Sequence, residues 1–345
     1  MAGRAGRLEE VDYFRAFACL AVVLIHTTAG YVTWDSAGPL TQSIFIFVNR
    51  ALTYAVPAFL FISGFVLFQR YREGDFAYFP FLKKRLRQIV LPYFLWTLFY
   101  YGLFVVRNIY PLSFRFFLQK LLLGDLVYHL YFVVLIVQFY LLFGIFRWLF
   151  QKYSSHFLLL GFFLINVLFM KYVYFSYADR FFIQYSTFFA LGLYFAVNYQ
   201  NIKEVLGRFQ AVLLLAVAYL AVSVLLAQQY EKMYVLQQGV NSFLYNLLWL
   251  FFSVLAIVFY YSIALLLQNS PWTALKSFLA RLSDGSYLIY LSHPLVLMLA
   301  PRVIKAEHVP STALHFLCTL VLVLGTVLPA VLFYRSLKSK LLSKA

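Results

Sequence analysis

The apolar residues of this chain fall into repeated blocks of about twenty, the length that crosses a bilayer as a helix. Blocks of this kind predict ten spans, at about 11–31, 45–68, 89–107, 129–150, 156–175, 181–199, 209–228, 243–267, 286–304 and 311–335. Composition agrees: the 345 residues are 64% hydrophobic and 12% charged, whereas soluble chains carry roughly 25% charged residues. The expected fold is therefore all-α and polytopic, with a single transmembrane domain over residues 1–345 and no appended soluble domain. The first block carries Asp12 and Arg15 at its start and is too long for a signal-peptide core, which argues against cleavable targeting.

A net charge of +16 could suggest nucleic acid, but the basic residues cluster in every second loop. With the N-terminus inside, the cytoplasmic set is Arg4, Arg7, Arg70, Arg72, Lys83, Lys84, Arg85, Arg87, Lys152, Lys203, Arg208, Lys276, Arg281, Lys338, Lys340 and Lys344. The outer set is Arg115, Lys120, Arg180, Lys232 and Lys305, so sixteen stand against five and both termini are expected in the cytoplasm. Phe76–Gln88 reads as an interfacial basic-aromatic segment, and Phe114–Leu123 as an apolar stretch along the outer surface. Cys19 and Cys318 sit in distant apolar segments and read as buried small hydrophobes.

The first span holds a row of ionisable residues. Arg15 and His26 are eleven positions apart, three full turns plus roughly 20°, and Asp12 lies within about 40° of His26. Ionisable groups cost at least about 2.5 kcal/mol each at a bilayer centre, so this row is expected to face protein and to mark a site or pathway. Asp12 and Arg15 can serve each other as an i,i+3 pair. His26, about 16 Å above Arg15, falls in the outer half of the membrane. A neutral imidazole there could deprotonate a hydroxyl, or could simply be a core histidine bonded to a neighbouring helix.

Four further groups stand out. Lys83-Lys84-Arg85-Leu86-Arg87, running on to Pro92-Tyr93, could hold phosphates, although such clusters also set orientation and bind anionic lipid. Tyr128 and His129 sit among aromatics at the outer start of the fourth span, as anchors or as part of a site. Within Ser286–Pro294, Pro294 removes a backbone donor opposite the Tyr290 carbonyl, so a kink beside His293 and a cavity wall lined by Tyr290 and His293 are expected. Ser63-Gly64 is a small step in the second span, suited to close helix contact, with Ser63 also a candidate on the donor-binding side. His156, His308 and His315 have no evident partners and read as structural or exposed. No Walker-type phosphate loop, paired-cysteine metal site or His-Glu-x-x-His run is present, and no metal is expected.

In order, these pieces resemble acyltransferase family three of integral membrane proteins. The resemblance rests on Asp12-Tyr-Phe-Arg15 with His26, Val56-Pro57-Ala-Phe-Leu-Phe-Ile-Ser63-Gly64-Phe65, Phe81-Leu-Lys-Lys-Arg85 to Pro92-Tyr93, Tyr128-His129-Leu-Tyr-Phe132 with Gln138-Phe-Tyr140, and Tyr290-Leu-Ser-His293-Pro294. The nearest flavour is the intercellular-adhesin type of polysaccharide modifier or exporter. Gln88 stands where a second Arg is expected, Tyr131 replaces a commoner Trp, and Ser292 a commoner aliphatic residue. The resemblance implies ten helices, an acyl-CoA donor on the cytoplasmic side, an extracytoplasmic glycan acceptor, and essential roles for His26 and Arg15.

The expected reaction is acyl transfer, most simply of acetyl from acetyl-CoA, in a bacterial plasma membrane. Lys84, Arg85 and Arg87 would hold the CoA phosphates, Arg15 would lie beneath the pantetheine arm, and the thioester would follow Asp12–Arg15–His26. His26 would act as base or as nucleophile. Tyr128 and His129 would line the acceptor mouth, and His293 would shape the tunnel or stabilise the oxyanion. Membrane lipids and glycan synthases are the other expected partners. The competing class is a polysaccharide exporter or flippase, which would need neither CoA nor a proton acceptor at position 26. A structural or sensing membrane protein is the third.

Overall fold

The computed structural model describes residues 8–34, 38–309 and 311–342; Arg4, Arg7 and Lys344 from the basic tally lie outside the described residues. Among these residues the fold is helical throughout, without strands. The helices are α1 (Glu9–Ala29), α2 (Pro39–Ala51), α3 (Ala55–Tyr71), α4 (Tyr78–Val106), α5 (Phe114–Leu123), α6 (Tyr131–Lys152), α7 (Ser155–Tyr172), α8 (Ser186–Val197), α9 (Tyr199–Leu206), α10 (Phe209–Tyr230), α11 (Ser242–Gln268), α12 (Thr273–Val303) and α13 (Thr312–Leu342). Eight helical stretches are long and apolar enough to cross a membrane, with α2 and α3 counted as one. The chain is an all-α polytopic membrane protein.

Every predicted span coincides with helix, but several boundaries move for physical reasons. The second span breaks at Leu52–Tyr54. Pro57 lacks an N–H and its ring crowds the Thr53 carbonyl, which disfavours a continuous helix at this point. The freed groups are satisfied within the protein: Thr53 Oγ1 donates to the Arg50 carbonyl at 2.7 Å, and the Tyr219 hydroxyl donates to the Ala51 carbonyl at 2.8 Å. The ninth span starts thirteen residues early, at Thr273, because Lys276, Arg281 and Asp284 dilute its hydropathy without opposing helix. That helix continues through Pro294 and Pro301, so the kink expected beside His293 does not interrupt it. The basic-aromatic segment forms the first turns of α4, and Phe114–Leu123 is α5, capped by Ser113 and ended by Gly124 at φ 63°.

The described chain separates into two compact units, one joining the residues up to Phe59 with those from Gln200, the other spanning Leu60–Tyr199. In the first, α1 packs chiefly on α12, with α2, α11 and α13 around it. Contacts from α1 to α12 keep an offset of 267 to 271 positions, so the two helices run parallel. Conversely Tyr31, just past the end of α1, meets His315 near the start of α13, so α13 runs the other way. Ala16, Ala18 and Ala21 of α1 are all buried among these neighbours.

In the second unit, α3 and α8 touch backbone to backbone at Gly64 and Gly192. A methyl on Gly192 would collide with the Phe61 carbonyl and stand 2.8 Å from the Phe65 nitrogen. Aromatic packing of Phe139, Phe146 and Phe189 fills the space beside this crossing. Gly192→Ala is expected to cost about 1–3 kcal/mol through overpacking against rigid backbone. A thermal unfolding series in detergent tests this, and an unchanged midpoint would contradict the crossing.

Candidate functional site

The polar row on α1 meets a second polar row on α12. The Ser283 hydroxyl donates to Asp12 Oδ1 at 2.8 Å, and Arg15 Nη1 donates to Ser283 Oγ at 3.2 Å and to Asp12 Oδ1 at 3.3 Å. Asp12 is 4% exposed, so the carboxylate lies inside protein with a hydroxyl and a guanidinium as its partners. One turn up, the Cys19 thiol approaches the Ser286 carbonyl at 3.9 Å, and Ser286 Oγ donates back to the Ser283 carbonyl. The i,i+3 pairing of Asp12 and Arg15 holds, with Ser283 closing it into a triangle.

At the far end of the same seam, His26 Nδ1 and His293 Nε2 are 2.7 Å apart. The rings are parallel to within 1° with centroids 5.0 Å apart, so the contact runs edge to edge in one plane. The other nitrogen of His293, Nδ1, lies 3.0 Å from the Ile289 carbonyl. A carbonyl only accepts, so His293 Nδ1 carries its proton and the lone pair sits on Nε2. His26 must then donate from Nδ1, which puts the His26 lone pair on Nε2. The backbone of α12 thereby fixes the tautomer of His293, and His293 fixes that of His26. This is the arrangement of a base held by an orienting partner. Tyr290, buried and 6.5 Å from His293 between ring centroids, stacks on Tyr287 to complete this wall.

Thus Asp12, Arg15, His26, Tyr290 and His293 come together in the first unit. Ser283 completes the cluster; sequence reasoning missed it because an isolated serine in an apolar helix carries no signal of its own. His315 is structural rather than exposed, and only its apparent lack of partners is corrected. It has partners: Nδ1 lies 2.7 Å from the Tyr31 hydroxyl, which also meets Thr319 at 2.9 Å, and all three residues are buried. His156 and His308 are exposed, against Tyr194 and beside Glu307 respectively. Cys19 is buried as expected, and Cys318 is half-buried.

The other candidates belong to the second unit. The Arg85 guanidinium lies 5.7 Å from the Phe81 ring centroid and 6.0 Å from that of Tyr140; its Nε is buried and makes no hydrogen bond. Lys84 and Arg87 are exposed, and Ser63 is half-buried beside the Gly64 crossing. Arg147 donates to the Tyr71 and Gly74 carbonyls and Gln151 to the Arg72 carbonyl, which fixes the loop leading into α4. Tyr128 is 54% exposed, whereas His129 is 2% exposed and stands edge-on to Tyr100. Gln138 donates to the Arg180 carbonyl and accepts from the Phe182 amide, so it anchors the turns before α8.

A family model described as an acyltransferase domain, acyltransferase family 3, matches residues 8–335. A curated relative, "Putative membrane-bound acyltransferase YfiQ" of Bacillus subtilis (strain 168), is 30% identical over 144 residues, covering 39% of this chain. The matched stretch spans 38% of that relative's length. No solved structure matches the chain.

The tautomer assignment is directly measurable. Nitrogen-15 NMR of histidine-labelled protein at neutral pH is expected to show His293 and His26 both protonated at Nδ1. An Nε2–H signal from His293 would contradict the geometry.

Proposed function

The chain belongs to acyltransferase family 3, and from that premise we propose that it moves an acyl group, acetyl in the simplest case, from cytoplasmic acyl-CoA to a hydroxyl of an extracytoplasmic cell-surface glycan. The bilayer concerned is a bacterial plasma membrane. The observation that carries the reading is the His26–His293 pair, whose protons are fixed by the Ile289 carbonyl.

In this reading His26 Nε2 accepts the proton of the attacking hydroxyl as its oxygen bonds to the thioester carbonyl carbon. The carbon–sulfur bond then breaks, and the proton passes to the departing thiolate. As His26 gains positive charge, its Nδ1–H bond to the His293 lone pair strengthens, so the partner stabilises the charged form as well as aiming the ring. A nucleophilic His26 would use the same geometry: Nε2 bonds to the carbonyl carbon as the carbon–sulfur bond breaks and the CoA thiolate leaves, and the glycan hydroxyl then takes the acyl group from the imidazole, its proton passing to the thiolate and Nε2 regaining its lone pair. Arg15, tied to Asp12 and Ser283, keeps a cation in the seam without leaving a buried charge uncompensated.

For the donor, the fit lies in the Arg85 side chain. A guanidinium beside two aromatic rings, with a buried Nε awaiting an acceptor, suits a phosphate oxygen. Lys84 and Arg87 would add charge as exposed neighbours, and Ser63 would serve at the same donor side. Tyr128 and His129 are assigned to the acceptor. No metal enters the scheme; membrane lipids and a glycan synthase are the remaining expected partners.

The test is release of CoA from labelled acyl-CoAs by purified full-length protein with glycan acceptor. His26→Ala is expected to lower turnover by about 10²–10⁴-fold, the usual worth of a positioned acid–base group, with donor binding retained. His293→Ala should follow in the same direction. Failure of well-folded wild-type protein to bind any acyl-CoA would overturn the proposal in favour of glycan export.

A further inference from the structure

Arg50 lies inside an apolar block of the sequence, next to the break between α2 and α3, and belongs to the first unit. Its surroundings are neutral. Nε donates to Asn49 Oδ1 at 3.1 Å and Nη2 donates to the same oxygen. The guanidinium carbon lies 4.0 Å from the centroid of the Tyr230 ring, and the Tyr245 hydroxyl is near enough to interact with it. Among the described residues no carboxylate pairs with Arg50, and the acid nearest in sequence to Tyr230, Glu231, accepts from Ser43 Oγ at 2.9 Å. A cation in a membrane-spanning segment with only neutral partners carries a standing cost, and such residues mark binding positions.

Two features give this position a ligand-facing character. Tyr230 packs against Tyr234 with centroids 4.6 Å apart and the rings tilted, and Tyr234 is 51% exposed, so the aromatic set runs from Arg50 to an open edge. There α10 passes into a π-helical turn, Glu231–Val235, a distortion common at functional sites. The position is also fastened to the turn bearing His26. Asn49 Nδ2 donates to the Ile25 carbonyl and to Thr28 Oγ1, each at 2.8 Å, so Asn49 links Arg50 to the residues flanking His26.

We infer that Arg50, with Tyr230, Tyr234 and Tyr245, forms a carboxylate-recognising subsite that selects acidic acceptor glycans, of the uronic-acid class, for the reaction at His26. The inference rests on the acyl-transfer reading and names the substrate class it takes. The planar guanidinium matches a carboxylate by two parallel hydrogen bonds, and tyrosine faces suit the apolar side of a sugar ring. A neutral sugar would leave the cation as under-compensated as it is without ligand, so the site discriminates by charge.

The experiment compares a glucuronate-containing oligosaccharide with its methyl ester as acceptors, using purified full-length protein in nanodiscs and labelled acetyl-CoA. Wild type is expected to favour the acid form. Arg50→Gln should reduce the acid-to-ester ratio of kcat/KM by about 10- to 100-fold through KM, the range of a charged hydrogen bond. Arg50→Lys, which keeps charge but loses the fork, should restore only part of it. A parallel arm replaces acetyl-CoA with succinyl-CoA on the ester acceptor. A defect of Arg50→Gln confined to that arm would place the recognised carboxylate on the donor and overturn the acceptor assignment. Tyr234→Leu, at the exposed edge, serves if Arg50→Gln does not fold, and should weaken both acceptors. An acid-to-ester ratio in Arg50→Gln equal to that of wild type, or a KM for both acceptors unchanged by Tyr234→Leu, overturns the inference. Direct binding of the two oligosaccharides without CoA separates this from failure of the acyl-transfer reading, since acid-selective binding can survive without turnover.

Discussion

The parallel seam between α1 and α12 is the constraint on which the first unit depends. Buried ionisable side chains have no water to fall back on, so each must be answered across the seam. Asp12 and Arg15 are answered by Ser283 and by each other, and His26 by His293. A one-residue slip of α12 would turn both partners about 100° away and leave a carboxylate, a guanidinium and an imidazole without their bonds at once. The polar pairs therefore set the register of the two helices.

The break between α2 and α3 is the second constraint, and it is held by the same logic. Interrupting a helix inside a membrane frees backbone groups that lipid cannot satisfy. Here Tyr219 reaches the Ala51 carbonyl, Thr53 the Arg50 carbonyl, and Tyr54 stacks on Tyr260 at 4.4 Å, which itself meets Tyr219 at 3.2 Å. Asn49 ties this region to α1. The break is thus braced from α1, α10 and α11, which allows the chain to hold Arg50 at a fixed place in an otherwise apolar stretch.

Much of this was readable in the sequence, and the boundary is physical. Helix positions follow from block length, and the Asp12–Arg15–His26 row follows from helical periodicity, because both are properties of neighbouring residues. The second span, read as continuous from its length, breaks before Pro57, whereas Pro294 suggested a kink in the ninth that does not interrupt the helix. Pairings made over long separations left no local trace. Ser283 is one serine among many, and its partner Asp12 stands 271 positions away. His315 looked solitary because Tyr31 is 284 positions distant. Arg50 was hidden by averaging: a single cation barely lowers the hydropathy of a 33-residue apolar stretch, although its cost in lipid is undiminished.

The direction of each helix ties these pieces into one argument. The end of α1, the start of α2, the end of α10 and the start of α13 meet one another through Gln42 to Val32, Ser43 to Glu231 and Tyr31 to His315. Thus α1 and α10 run one way and α2 and α13 the other, while α12 runs parallel to α1, and the polar features of the unit sort by level. The Asp12–Arg15–Ser283 triangle lies at one end of the seam and the His26–His293 pair toward the other, at the level where Asn49 and the break in the second span also sit. A charge-bearing triangle and a hydrogen-bonded imidazole pair are thereby kept at different depths of the same helix pair. Their separation is set by helix rise alone, so a substitution at one can be read without directly disturbing the other.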